Sequence, residues 1–210
     1  MNISVIGATK GIGKEVLKQA LNSGFNVTVL VRNPDKLNVE DKNLTIIKGD
    51  FLAYDSVVRS VKNADAVVVS VGIMLTRKPV DLFSEGTKNL LKAIKNTGIN
   101  PLLLVVTGIG AGDSKGHGGF FYDKIFHPLL LKTIYEDKDK QEQILKNEYD
   151  NWIVVRPGML TNGKLTGKYK ALTNLEGING GKISRADVAH FILQQAEKPT
   201  FLRKTPLLIY

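Results

Sequence analysis

The chain has no cysteine among its 210 residues. That excludes disulfides, thiolate metal sites and a cysteine nucleophile together. No apolar run reaches the roughly 20 residues needed to cross a bilayer. Residues 1–6 read as a strand, without the charged and then apolar stretches of a signal peptide, so none is expected, and a cytoplasmic location follows by default. Histidines number three, widely spaced and without a ligand pattern, so no metal site is expected. Repeats, low-complexity tracts and flexible linkers are also missing, and residues 1–210 are read as a single domain.

Positive charge is present: 29 Lys and Arg stand against 20 acids, a formal +9. Such a surface attracts nucleic acid or anionic lipid, and it equally steers a polyanionic small molecule. The charges are dispersed, with Arg77-Lys78 and Arg203-Lys204 only as pairs, and aromatics are 7% of the chain. The reading is therefore a solvated basic surface with a small-molecule partner and neither nucleic acid nor membrane. Oligomeric state is left open.

Strand-like and helix-like segments alternate from the first residue. "NISVI" (2–6), "NVTVLV" (26–31), "LTIIKGD" (44–50), "DAVVVSVG" (65–72), "PLLLVVTG" (101–108) and "WIVVRPG" (152–158) predict six strands. Several are continuously apolar, as parallel strands buried on both faces are. Helices are expected over 14–23, 56–63, 81–97, 129–147 and 184–196, with a terminal strand at 206–210. This pattern predicts an α/β, doubly wound parallel sheet of the Rossmann type. Residues 161–210 read as a small C-terminal extension on the substrate side, not as a separate domain. The stretch 108–128 reads as a long irregular loop leaving the carboxyl end of a strand, where open α/β sheets bind ligands.

Between the first strand and first helix lies "GATKGIG", residues 7–13. A glycine-rich turn in that context lets backbone approach a pyrophosphate at a helix N-terminus. The second strand ends in Arg32, where an NAD-specific site of this kind carries an acid for the ribose 2′-hydroxyl. A guanidinium there suits a 2′-phosphate. With Lys10 and Lys36 nearby, NADP(H) is the expected cofactor. Asp50 and Phe51, closing the third strand, suit the adenine; Val71 and Gly72, closing the fourth, let a ribose lie flat.

Over essentially the whole length, "GATKGIG", "VTVLVRNPDKL", "SEGTKNLLKAIKNTGI", "WIVVRPGMLTNGKLTGKY" and "ISRADVAHFIL" resemble the atypical short-chain dehydrogenase/reductases. Within these, the chain is most similar to the NAD(P)H-binding, NmrA-like proteins related to biliverdin reductase B, or flavin reductase. The resemblance implies a Rossmann fold, NADPH, and reduction of a flavin, a tetrapyrrole or a related planar acceptor. It assigns the cofactor groove to Gly7, Thr9, Lys10, Gly11, Ile12, Gly13, Arg32, Asp50, Phe51, Val71, Gly72, Thr107, Gly108, Pro157 and Gly158.

The superfamily's Tyr-x-x-x-Lys pair is not intact. Position 134 is Ile, and Tyr135 precedes Lys138 by three residues, which is read as a different helix face. Gly108 stands where the related reductases have serine, leaving Thr107 as the nearest hydroxyl. Thr107 and Lys138 are the catalytic candidates; His117, Tyr122 and Met159 are candidates for the substrate pocket, and His127 is a further imidazole. Phe120, Phe121 and Tyr122 either wall a planar substrate or pack the loop onto the sheet. The reading is an NADPH-dependent reductase of a flavin, bilin or quinone. The alternatives are a non-catalytic NADP(H) sensor of the NmrA-like type and a nucleotide-sugar epimerase or dehydratase.

Overall fold

The computed structural model describes residues 1–210. Its eight-stranded main sheet has the order β3-β2-β1-β4-β5-β6-β10-β8. The strands are β1 (Asn2–Ile6), β2 (Asn26–Val31), β3 (Leu44–Lys48), β4 (Ala66–Val69), β5 (Leu102–Val106), β6 (Trp152–Pro157), β8 (Lys170–Leu172) and β10 (Leu207–Ile209). All neighbours pair in parallel except β10 and β8. The fold class is the one expected, a parallel sheet covered by helices on both faces.

Strand alternation divides the core. Ala66 and Val68 of β4 pack with Val16 and Leu17 of α1 (Gly11–Asn22) and with Ile192 of α5 (Arg185–Glu197). Val67 and Val69 pack on the other face, with Val57 of α2 (Tyr54–Val61), Leu90 of α3 (Leu82–Thr97) and Leu145 of α4 (Lys132–Glu148). β4, β5 and β6 are buried along their whole length, so their apolar runs are continuous.

Side chains cap the starts of two helices, one from a distance and one locally. Asp81 at the start of α3 makes no capping bond; the buried Asp137 carboxylate of α4 instead accepts the Phe83 amide at 2.8 Å and the Ser84 amide at 3.3 Å. The α5 cap is local, with Ser184 Oγ accepting the Asp187 amide at 2.9 Å.

Four expectations change. Helix α1 starts at Gly11, three residues early, because glycines at a helix start carry no apolar periodicity. Stretch 108–128 is not irregular throughout. Gly112–Ser114 forms a 3₁₀ turn, and Tyr122–Leu131 is a π-helical segment running directly into α4. Within the polar C-terminal extension, β8 joins the main sheet. Finally, β7 (Met159–Thr161) and β9 (Lys182–Ser184) form a separate parallel pair.

Candidate active site

Strand order reverses direction between β1 and β4, which opens a crevice at the carboxyl ends of the strands. Two glycines shape its floor. Gly7 has φ +95°, and a Cβ there would stand 2.6 Å from the carbonyl oxygen of Ser70, just beyond β4. A Cβ on Gly13 would stand 2.2 Å from the carbonyl oxygen of Gly7. The turn is thus pressed against both its own helix and the neighbouring strand end, closeness that only glycine permits.

Above that floor runs a groove of about 890 Å³. Gly7, Thr9, Lys10, Gly11 and Ile12 line its middle with Val71 and Gly72. Arg32, Lys36, Asp50 and Phe51 line one end; Thr107, Pro157 and Lys138 line the other. Sequence reasoning missed Leu160 and Arg185, which also line it. Gly13 and Gly158 lie outside: a Cβ on Gly158 would stand 2.6 Å from the Gly181 carbonyl, so that glycine serves packing. His117, Tyr122 and Met159 are not in the lining either. His117 Nδ1 lies 3.1 Å from the Ile178 carbonyl, and Met159 is exposed.

The groove suits a dinucleotide. At the start of α1, Lys10 makes no side-chain cap and the first turn holds no acid. The first-turn amides of Gly11 and Ile12 therefore open onto the groove without a side-chain partner, an anion site by construction. None of Lys10, Arg32 and Lys36 takes part in an ion pair. These cations remain available to a phosphate.

At the opposite end, the Lys138 ammonium donates to the Thr107 carbonyl and sits 5.2 Å from the Phe83 ring centre and 5.4 Å from that of Tyr135. Burial pushes it down to about 8, partly offset by the Glu142 carboxylate. Tyr135 and Lys138 therefore share a helix face, contrary to the expectation. Residues three apart are neighbours on a helix surface, so the shorter spacing does not part them.

The Thr107 hydroxyl, named as a catalytic candidate, points inward. It donates to Glu142 Oε1 at 2.9 Å. The fully buried Arg156 holds the same carboxylate in a fork, at 3.0 Å from Nε and 2.6 Å from Nη2, and its Nη1 also donates to Asp113. This network ties β5, β6 and α4 together beneath the groove; no motif in the sequence signals it.

A second hydroxyl stands nearby. Tyr122 donates to the Ile109 carbonyl at 2.8 Å, and its oxygen lies 3.0 Å from the Tyr135 hydroxyl. Tyr122 has one proton and spends it on Ile109, so Tyr135 supplies the proton between the two phenols. Burial raises both phenol pKa values, keeping them neutral. The His127 ring packs 4.9 Å from that of Tyr135, and its buried Nε2 has no hydrogen-bond partner.

Residues 7–199 match the family described as NAD(P)H-binding. The chain belongs to that family. NAD(P)H is accordingly its cofactor, and the fold is of the oxidoreductase type. The Bacillus subtilis protein YwnB is 26% identical over 216 residues, spanning 95% of this chain and 93% of its own. Among solved structures, ChuY, an anaerobilin reductase from Escherichia coli O157:H7, superimposes with a TM-score of 0.79 at 22% identity, covering 100% of this chain and 97% of its own. A short-chain dehydrogenase/reductase from Veillonella parvula in complex with NADP gives 0.79 at 18% identity, covering 100% and 94%. These two likenesses are likenesses of fold. No helix of the chain is long and apolar enough to cross a membrane.

Proposed function

We propose that this chain is an NADPH-dependent reductase of a planar acceptor such as a flavin, bilin or quinone. The observation that carries the reading is one continuous groove with uncompensated cations at one end and a partly buried lysine beside paired phenols at the other. Arg32, Lys10 and Lys36 hold the 2′-phosphate; Asp50 and Phe51 meet the adenine. The first-turn amides of α1 receive the pyrophosphate, with Val71, Gly72 and Pro157 along the ribose and nicotinamide. Bound there, the cofactor supplies hydride equivalents to an acceptor stacked above it.

This chain's residues then have little left to do beyond orientation and proton supply. Lys138 fixes the end of β5 through the Thr107 carbonyl and presents a cation to the ribose. Thr107 contributes through that carbonyl, because its hydroxyl is committed to Glu142. Lys138 lines the groove whereas neither phenol does, and the Tyr135 proton is held by Tyr122, so a proton reaches the acceptor from the Lys138 ammonium or from solvent. That ChuY, which shares the fold, is an anaerobilin reductase supports the acceptor class by analogy of fold.

The test is a titration with NADPH and with NADH, followed by FMN, biliverdin or a quinone while absorbance at the nicotinamide band is recorded. Turnover with NADPH preferred supports the reading. Tight NADPH binding without turnover across the panel returns the chain to a sensor role.

A further inference from the structure

Beside the Thr107 end of the groove, the chain exposes a cluster of large apolar side chains. Phe120 and Phe121 are 70% and 76% exposed, stacked edge to face with ring centres 5.7 Å apart. They do not pack onto the sheet. Ile125, Phe126 and Leu129 follow on the π-helical segment, also exposed. Its wider turn brings residues about four to five apart onto one side. The loop after β4 adds Met74, 85% exposed, and Leu75. That loop is tied to the start of α4 by the Thr133 hydroxyl, which donates to the Thr76 carbonyl at 3.1 Å. Isolated exposed apolar residues are ordinary; a cluster drawn from two adjoining segments marks a contact surface.

Cations accompany the cluster. Arg77 and Lys78 follow Leu75 after a single threonine, Lys124 sits within the aromatic segment, and Lys132 follows it. Of these four, only Lys132 has an ionic partner, an exposed contact with Glu136 at 4.0 Å that contributes little.

We propose that this apron docks on an anionic lipid surface, a partner that the dispersed charge of the sequence argues against. Its Phe, Leu and Met side chains enter the boundary between headgroups and acyl chains, and its Lys and Arg side chains lie over lipid phosphates. Amphipathic segments that lie in a membrane interface combine these two residue classes. A second copy of the chain fits poorly, because the same four cations would face each other across the contact and each chain carries +9. A folded acidic partner must match a fixed shape, whereas a fluid headgroup layer accepts side chains that stand 70–85% clear of the surface. Ile73 and Leu82, which bracket the loop, line the groove, so docking holds the groove mouth at the lipid. The proposal rests on this surface alone and does not depend on the reductase reading.

Co-sedimentation without NADPH tests it, using vesicles of phosphatidylcholine alone and of phosphatidylcholine mixed with phosphatidylglycerol. The expected result is binding to the anionic vesicles that weakens as salt rises. Phe120→Ser with Phe121→Ser lowers that binding at least about tenfold. Lys124→Gln with Lys132→Gln lowers it by a similar factor and flattens its salt dependence. Both variants keep the wild-type melting temperature and NADPH affinity, which separates loss of docking from loss of fold. Three results would overturn the proposal: no binding to anionic vesicles, binding that the double Phe variant retains, or self-association in sedimentation velocity that the same variant abolishes.

Discussion

A Cβ on Gly108 would stand 2.6 Å from the hydroxyl oxygen of Tyr135. The phenol occupies the room that a side chain at 108 would need, and the two positions are read together. Gly108 also holds φ +144°, a conformation that L side chains rarely adopt. Gly108→Ala is expected to cost about 1–3 kcal/mol in denaturant unfolding. Part of that cost returns in a Tyr135→Phe background, where the clashing oxygen is gone. Equal costs in both backgrounds would mean that the two residues do not compete for space.

Cofactor choice is expected to rest on the cations of the groove. Arg32→Asp combined with Lys10→Ala should lose about 1.5–3 kcal/mol of NADPH affinity, roughly a tenfold to hundredfold rise in Kd. NADH affinity should change little. Parallel titrations with the two nucleotides measure this, and an unchanged NADPH Kd would remove Lys10 and Arg32 from the 2′-phosphate.

Lys138 titrates near 8 because burial disfavours its charge. Below that pH the ammonium holds the Thr107 carbonyl; above it the contact loses its charge. Turnover is expected to fall on the alkaline side of about pH 8, and Lys138→Met should flatten that limb. The stability contribution has its own sign. The unfolded chain binds this proton more tightly than the folded one, so stability rises as pH climbs from about 8 toward the ordinary lysine value of 10.5.

Asp187 is a fully buried carboxylate that accepts the Thr166 and Gly167 amides at 2.8 Å each and the Tyr210 hydroxyl at 2.7 Å. Burial raises its pKa, but these hydrogen bonds outweigh burial and hold it below the usual carboxylate value of 3.8. Its stabilisation is therefore present above 3.8 and lost as pH falls through the lower folded value. Asp187→Asn should lower stability at neutral pH by about 2–3 kcal/mol and flatten the acid limb of unfolding. A variant with the wild-type acid profile would contradict this assignment.

Arg156 and Glu142 are expected to behave as a unit. Arg156→Met should destabilise by about 3–5 kcal/mol, because it leaves the buried Glu142 carboxylate with only the partly exposed Lys146 as ionic partner. Adding Glu142→Gln should recover a large part of that cost. Additive losses in the cycle would argue against a coupled pair.

Much of the fold was legible because it depends on local chemistry. The apolar runs at 2–6, 26–31, 65–72, 101–108 and 152–158 identify buried parallel strands. The turn at 7–13 has to be glycine-rich wherever a strand end comes so close. Arg32 was legible as a groove residue because a strand end fixes where its side chain starts. The start of α1, the π-helical segment and the β7–β9 pair were not legible. Glycines hide helix periodicity, ten residues of wide helix leave no distinctive spacing, and a three-residue strand is defined only by its partner.

By itself, the sequence determined the alternation of strands and helices, and with it the parallel sheet, the glycine floor and the basic end of the groove. Each follows from residues near one another in the chain. Only the tertiary structure decided which way the Thr107 hydroxyl faces, that Tyr135 stands with Lys138 over the end of β5, and that Arg156 is neutralised by Glu142. Those relationships join separate elements, and the burial and hydrogen-bond partners that set their chemistry exist only once the helices have packed onto the sheet.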